Sequence, residues 1–512
     1  MKTCFKLSMH LILLLVIVFQ TGCASSEGQK KTATPVGPTS EPVTPTQPTE
    51  TSPAVLTISP SASATIPKPT FEPTGTPTPR IQDVLPAQQG IGFGAYLDVR
   101  SADSGLALMK AEGMNWIHLP FYWSAVEPQE GQINWGAFYS FENKLRTAAD
   151  DHINIILYIN DTPGWALKEG YTCGAVAQDK FADLASFLSD MVARYSVAPF
   201  NVKYYELWSE EDVSGALGCW GDPGDPKYFG GGYYGEMLKV VYPAIKAANP
   251  QAQVLFGGLL MDCDPDHVAN CGGDLALKTS IGHFLEGALV DGAGPYFDGI
   301  SFHAYDYYMG ALGKYSNSNW GAAWNTTGPV VLVKAAYLRN LLARYNITGK
   351  YLMNTELAVL CGSTGKEPVC TTADHEATVS AYIVQAYAAG IANGLPIIIW
   401  FSLAGWRGTG LVDAQLNPLP TYNAYKNVRA LLGLDDYVRA ITEFQGITGY
   451  EFIDNYAKQR TWVLWSVTAT GNPHAITLST MPLAVYDTYG AALPVGMTLN
   501  VNLEPVFIVF GA

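Results

Sequence analysis

Between about residues 90 and 430 the chain alternates two textures: short apolar runs that stop at loops, and longer stretches with helical apolar spacing. The runs fall at 92–98, 116–120, 153–159, 202–208, 253–258, 299–303, 351–354 and 395–400. The spacing predicts helices over 104–112, 181–194, 234–248, 331–345 and 375–393. Eight strands alternating with helices imply a parallel sheet. Closing eight of them makes a (β/α)8 TIM barrel, which needs about 250 residues and has room for them over 86–435. After Asp435 the alternation stops. Strand-like segments at 450–453, 461–466, 474–478, 483–487, 499–501 and 505–510 are punctuated by Gly, Asn and Pro. They predict a small C-terminal β-sandwich domain over 436–512, packed on the barrel as a rigid accessory.

A barrel makes a demand on its polar residues: those that react should lie at the carboxyl ends of strands or in the loops that follow. His118 lies near the end of the second run and Glu210 just past the fourth. His303 and Tyr305 close the sixth, and Glu356 the seventh.

The amino terminus reads as an address. Lys2 and Lys6 precede an unbroken apolar run, Leu11 to Phe19, too short for a comfortable membrane span. It ends at Thr21-Gly22-Cys23, which resembles the end of a bacterial lipobox. Residues 1–23 are therefore expected to be a lipoprotein signal, with Cys23 lipidated; an ordinary cleaved signal is the other reading. Residues 24–85 are dominated by Pro, Thr and Ser, too poor in apolar side chains to offset chain entropy, and are expected to be a disordered tether. The expected location is extracytoplasmic, at the cell surface, with the lipid anchor as the one membrane contact.

Six cysteines then remain, in a compartment where disulfides persist. Cys263 with Cys271 and Cys361 with Cys370 close short loops and are natural partners, which leaves Cys173 and Cys219; free buried thiols are the alternative. Charge narrows the partners. A net charge of -15 with no basic cluster in the globular part argues against nucleic acid and suits a neutral substrate. Hydrophobic residues make up 48% and charged residues 15%, enough to bury a core and exclude global disorder.

Several motifs carry a family likeness. Tyr205-Glu206-Leu207-Trp208-Ser209-Glu210 resembles the strand-four motif of clan A glycoside hydrolases, usually Trp-Asn-Glu. Asn354-Thr355-Glu356 resembles their strand-seven Thr-Glu, and His303-Ala304-Tyr305 their strand-six His-x-Tyr. Trp400 resembles the aromatic that closes strand eight, and Trp123-Ser124-Ala125-Val126-Glu127-Pro128 the loop after strand two. The likeness spans about residues 90–430 and is similar to cellulase-like families and to the β-xylosidase family with an appended β-domain.

The resemblance implies a retaining hydrolase of extracellular β-linked oligo- or polysaccharide, with no cofactor or metal. Glu210 would be the acid/base and Glu356 the nucleophile, with carboxyls about 5–5.5 Å apart. The charge of Glu356 would hold Glu210 protonated until needed. Tyr305 would hydrogen-bond Glu356. His118, Trp123, Trp165, Ser209, His303, Tyr305, Trp400 and Trp406 form the expected sugar-binding set, and Trp220 is a further loop aromatic. By strand alternation Glu206 shares an inward face with Trp208 and Glu210, supporting the base of the site. Two departures stand out: Ser209 replaces the family's Asn, and His118 stands where an Arg usually supports the nucleophile. They motivate a rival reading, a catalytically weakened carbohydrate-binding protein on the same barrel. The Gly90-x-Gly92-x-Gly94 run lacks the third glycine of a dinucleotide fingerprint, and Asp262-Cys263-Asp264-Pro265-Asp266 reads better as a capped acidic turn than a calcium loop.

Overall fold

Eight parallel strands close into a barrel in the computed structural model, which describes residues 92–96 and 102–511 apart from 216, 271–273, 311–319, 327 and 467–472. The segments read as signal and tether, Cys23 with them, lie outside the described residues, as does Cys271, the partner expected for Cys263. The strands are β1 (Gly92–Tyr96), β2 (Trp116–Tyr122), β3 (Asn154–Asn160), β4 (Tyr204–Ser209), β5 (Gln253–Leu259), β6 (Gly299–Tyr308), then, past the two-residue β7 (Trp320–Gly321), β8 (Tyr351–Leu360) and β9 (Ile397–Trp400). They lie in the order β5-β4-β3-β2-β1-β9-β8-β6, and β5 pairs with β6 to close the ring. β7 adds antiparallel to the tip of β6. All eight expected strands are present, with β6 and β8 running several residues beyond the apolar runs that announce them.

Runs such as Ile155-Ile156-Leu157-Tyr158-Ile159 are buried at every position because one face meets the barrel interior and the other the helices outside. The interior is plugged by Trp116, Ile156, Tyr204, Leu255, Tyr351, Met353, Ile397 and Ile399. Gly92 makes the plug possible: a Cβ there would lie 2.5 Å from the Trp116 indole nitrogen. Gly92 and Gly94, both within β1, therefore serve packing. Two residues above the plug the next inward positions are reached. They are His118, Tyr158, Glu206 and Phe401, so the floor turns polar where the strands end.

The β-strands of the C-terminal region form two antiparallel sheets. β10 (Asp436–Ala440), β11 (Ile447–Asp454), β12 (Gln459–Ser466), β16 (Val506–Gly511) and β14 (Ala484–Tyr486) make five strands in that order. β13 (His474–Thr477) and β15 (Thr498–Val501) make the second sheet. Ile441, Leu464, Ile476, Val485, Val501 and Ile508 fill the space between them. The other face of the larger sheet contributes Phe452, Val463, Trp465 and Phe507 to the apolar core of the barrel's helical layer. Asn427 and Gln385, on barrel helices, donate to the carbonyls of Asp487 (3.1 Å) and Leu503 (3.0 Å).

Candidate active site

Strand alternation fails in β4 and again in β8, and each of these failures aims a glutamate. In β4 the backbone of Trp208 turns left-handed (φ 68°), which carries its ring out of the interior and against Trp220 at 5.0 Å. The expectation that Trp208 shares the inward face with Glu206 is corrected: the turn intervenes. Ser209 then pairs in register with Gly258, and Glu210 follows, again left-handed (φ 58°), with its N–H donating to the Gly258 carbonyl at 2.8 Å. Non-glycine residues rarely adopt such a backbone, and it concentrates where a fold must present a side chain.

In β8 the device is a bulge. Phe302 pairs with Asn354 but His303 pairs with Glu356, so Thr355 has no opposite number. The β9 side slips at the same point, between Asn354 and Leu357. Met353 points inward to the plug, so strict alternation would send Thr355 inward and Glu356 outward; the extra residue reverses this. Asn354 pins the bulge, its amide donating to the carbonyls of Phe302 and Glu356 at 3.0 Å each.

The two carboxyls meet across the barrel mouth. An oxygen of Glu210, an oxygen of Glu356 and a ring nitrogen of His303 all lie within 4.8 Å of one another. His303 Nδ1 is 2.9 Å from Glu210 Oε1 and 3.4 Å from Glu356 Oε2. The Tyr305 hydroxyl donates to Glu356 Oε2. On the other side His118 Nδ1 lies 3.8 Å from Glu356 Oε1, while its Nε2 lies 3.3 Å from Glu206 Oε1.

Burial governs the charge states. It pushes Glu210 up to about 8, partly opposed by Lys334 and reinforced by Asp262. Burial also pushes Glu356 well above the usual carboxyl range; the nearby Glu210 and Glu206 add to this and the Tyr305 donation opposes it. Two carboxyls so close in a dry site do not both ionise near neutrality, and they hold a proton between them. A hydroxyl donor favours charge on Glu356, which leaves the proton on Glu210. Burial lowers His303 to about 3, so its ring is neutral, and raises Tyr305 well above 10.0, so its hydroxyl stays a donor.

Several residues expected at the sugar surface lie elsewhere. Trp123 is fully buried, stacked on Phe187 at 5.4 Å, with its indole N–H donating to Glu127 Oε2 at 2.8 Å. Glu127 also accepts from the Gly131 N–H at 2.9 Å, and its carbonyl accepts from Trp165 Nε1 at 3.1 Å. The loop after β2 is thus folded around one carboxylate, and Trp165, edge-on to Trp123 at 5.5 Å, belongs to that fold. Trp400 is fully buried and donates to the Thr409 carbonyl at 2.8 Å; Ile397 and Ile399 take the inward positions, so Trp400 faces the helical layer. Trp220 is likewise buried. His118 and His303 have no exposed surface and sit beneath the glutamates, where they touch carboxyls instead of lining an open subsite.

Phe401 takes the place expected for Trp400. Its ring meets Tyr96 at 4.9 Å, Tyr305 at 5.9 Å and the half-exposed Trp406 at 6.3 Å. Trp406 therefore stands on the rim of the same mouth. Phe401 was within reach of sequence reasoning, since inward Ile397 and Ile399 put residue 401 inward too. Cys173 pairs with Cys219 and Cys361 with Cys370. Asp264 accepts from the Asp266 N–H at 3.0 Å and pairs with His267 at 2.9 Å, a closed acidic turn.

No family description and no curated protein matches the sequence. Solved structures do match. A family 39 glycoside hydrolase from the gut symbiont Bacteroides cellulosilyticus WH2 superposes with a TM-score of 0.63 at 18% identity, over 82% of this chain and 81% of that one. A GH30 endoxylanase from Clostridium papyrosolvens C71 gives 0.54 at 13% identity, over 83% and 97%. A glucosidase from Croceicoccus marinus gives 0.54 at 12% identity, over 85% and 98%. The (β/α)8 barrel of this chain, with the β-sheets that follow it, has the fold of these glycoside hydrolases.

Proposed function

We propose that the chain is a retaining glycoside hydrolase acting on β-linked extracellular carbohydrate. The observation that carries this reading is the pair Glu210 and Glu356, with oxygens within 4.8 Å at the ends of two barrel strands, one carboxyl accepting from Tyr305 and both facing His303. That closeness suits double displacement, because an inverting pair needs room for a water between its carboxyls. Glu356 attacks the anomeric carbon as the bond to the leaving oxygen breaks, and Glu210 gives that oxygen its proton. The sugar is then an ester of Glu356. Glu210, now a carboxylate, takes a proton from water, whose oxygen attacks the anomeric carbon and releases Glu356. Protons and charges return to their starting places, and the cycle needs no cofactor. Trp406 and Phe401 offer aromatic faces to the sugar at the rim.

The same proposal places the enzyme outside the cytoplasm, lipidated at Cys23. Palmitate incorporated by the wild type and also by Cys23→Ser would remove the anchor from it.

The deciding experiment is hydrolysis of an aryl β-glycoside panel (xyloside, glucoside, galactoside, mannoside, arabinoside) by the full chain, beside Glu210→Ala and Glu356→Ala. Turnover is expected to fall in both, with azide rescuing the first to a β-glycosyl azide and the second to an α-glycosyl azide. Turnover indifferent to both substitutions would sink the mechanism. The rival reading as a binding protein, motivated by Ser209 and His118, predicts oligosaccharide binding without turnover, unaffected by Glu356→Gln.

A further inference from the structure

The interior around Glu356 holds a third carboxyl that double displacement does not use. Glu206, on β4, is fully buried one level below the reacting pair. Its Oε1 lies 3.3 Å from His118 Nε2, and the opposite ring nitrogen, Nδ1, lies 3.8 Å from Glu356 Oε1. The imidazole of His118, itself without exposed surface, therefore lies between two buried carboxyls, hydrogen-bonded to Glu206 and approaching Glu356. Around this imidazole the packing is closed. A Cβ on Gly258 would lie 2.9 Å from Glu206 Oε1 and 2.5 Å from His303 Nε2, and the Tyr158 ring sits 4.6 Å from the His118 ring.

The other groups facing His118 supply no positive charge. Tyr96 and His303 stand with ring centroids at 6.0 Å and 6.5 Å. Burial keeps His303 neutral and the Tyr158 hydroxyl protonated. Among the described residues no Lys or Arg pairs with Glu206 or Glu356. A neutral imidazole has one N–H and would turn a lone pair on one of its two carboxyls. Unpaired buried polar atoms are expensive, and His118 Nδ1, 3.8 Å from Glu356 Oε1, has no hydrogen-bond partner in this arrangement; a ring protonated on both nitrogens would offer a donor toward each carboxyl.

We propose that Glu206 is a positioning residue for the nucleophile: it orients His118 so that a doubly protonated ring directs its second N–H at Glu356. The logic parallels the carboxylate that orients a catalytic histidine in hydrolase triads, with the histidine serving a carboxyl in place of a hydroxyl. The pair does something a lone arginine does not. When Glu356 becomes an ester it loses its charge, and the Glu206–His118 couple that remains beneath it is internally neutral. The intermediate is left with no uncompensated buried cation.

The role as nucleophile support rests on the glycosidase reading; the charge state of the couple does not. The test uses the full chain labelled with 15N-histidine, at pH 7. The imidazole signal missing from His118→Gln belongs to His118. Both its nitrogens are expected in the protonated range in the wild type, and one of them bare in Glu206→Gln. In parallel, kcat/KM toward a 2,4-dinitrophenyl β-glycoside, whose leaving group needs no proton from Glu210, should fall about 10–100-fold in Glu206→Gln, the range usual for partners of reacting groups. Glu206→Asp should recover part of it. A neutral His118 in the wild type, or an unchanged kcat/KM in Glu206→Gln, overturns the proposal. Turnover that survives Glu356→Ala removes Glu356 as the nucleophile and with it the supporting role of the couple, a wild type that turns over no glycoside overturns the glycosidase reading instead, and in either case the nitrogen signals still decide the state of the couple.

Discussion

Glu356 and His303 face each other across the β6–β8 ladder because Thr355 is one residue too many in β8. Were Thr355 paired regularly instead of bulged, the alternation that sends Met353 into the plug would turn Glu356 toward the helices. β4 reaches the same end differently, through the left-handed backbone at Trp208 and Glu210. Both glutamates therefore sit at interruptions of regular sheet, where direction is set by backbone geometry.

Protonation of Glu210 should govern the alkaline side of activity. With its proton held to about pH 8 by burial, kcat/KM on a 4-nitrophenyl β-glycoside is expected to fall above about pH 8, near tenfold per unit. A 2,4-dinitrophenyl glycoside needs no acid assistance, so the limb due to Glu210 should be missing from its profile. Identical alkaline limbs for the two substrates would remove Glu210 from the role of acid.

The same raised carboxyl costs stability as pH rises. Below about 4.5 both folded and unfolded chains hold the proton, and the site is neutral in the balance. Between that value and about 8 the unfolded carboxyl ionises while the folded one does not, so stability declines until the folded group ionises too. Glu210→Gln escapes this. It should melt about 2–5 °C above the wild type at pH 8.5 and within about 1 °C of it at pH 4.5, by scanning calorimetry. A gain of equal size at both values would show that burial of charge is not the cause.

Trp400 and Trp406 should behave oppositely. Trp400→Ala removes a fully buried indole and its bond to the Thr409 carbonyl, at a cost of about 3–5 kcal/mol read from urea unfolding. Trp406 is half exposed, so Trp406→Ala should leave the melting temperature within about 1 °C and raise KM about 3–10-fold, the worth of one aromatic contact. A reversed pattern would mean that the sugar meets the barrel on another side.

How far the sequence could be read depended on how regular the structure is. Each barrel strand was visible because burial on both faces makes a continuous apolar run. What regular periodicity could not supply was direction at the strand ends: Trp208 and Trp400 look inward on paper and pack outward in the fold. The Trp123 motif was legible as a loop, but not as one folded around Glu127, whose partners at Gly131 and Trp165 lie at different separations. The helix Tyr139–Asp150 escaped notice because Glu142 and Lys144 interrupt its buried face. The helix Pro420–Leu432 was missed as well, although a proline in its first turn marks its start. β10 is an exposed edge strand, and its Asp436 and Arg439 give no alternation to detect. The couple of Glu206 and His118 joins two strands with β3 between them, a neighbourhood that only closure of the barrel creates.

The larger C-terminal sheet lends Phe452, Val463, Trp465 and Phe507 to the barrel's own apolar core. Neither part can then lose its packing alone: melting the sheet would strip cover from the helices beneath it. Heat should take the barrel and its appendage through a single cooperative transition, and a proteolytic cut between them should release two sticky fragments instead of two working domains.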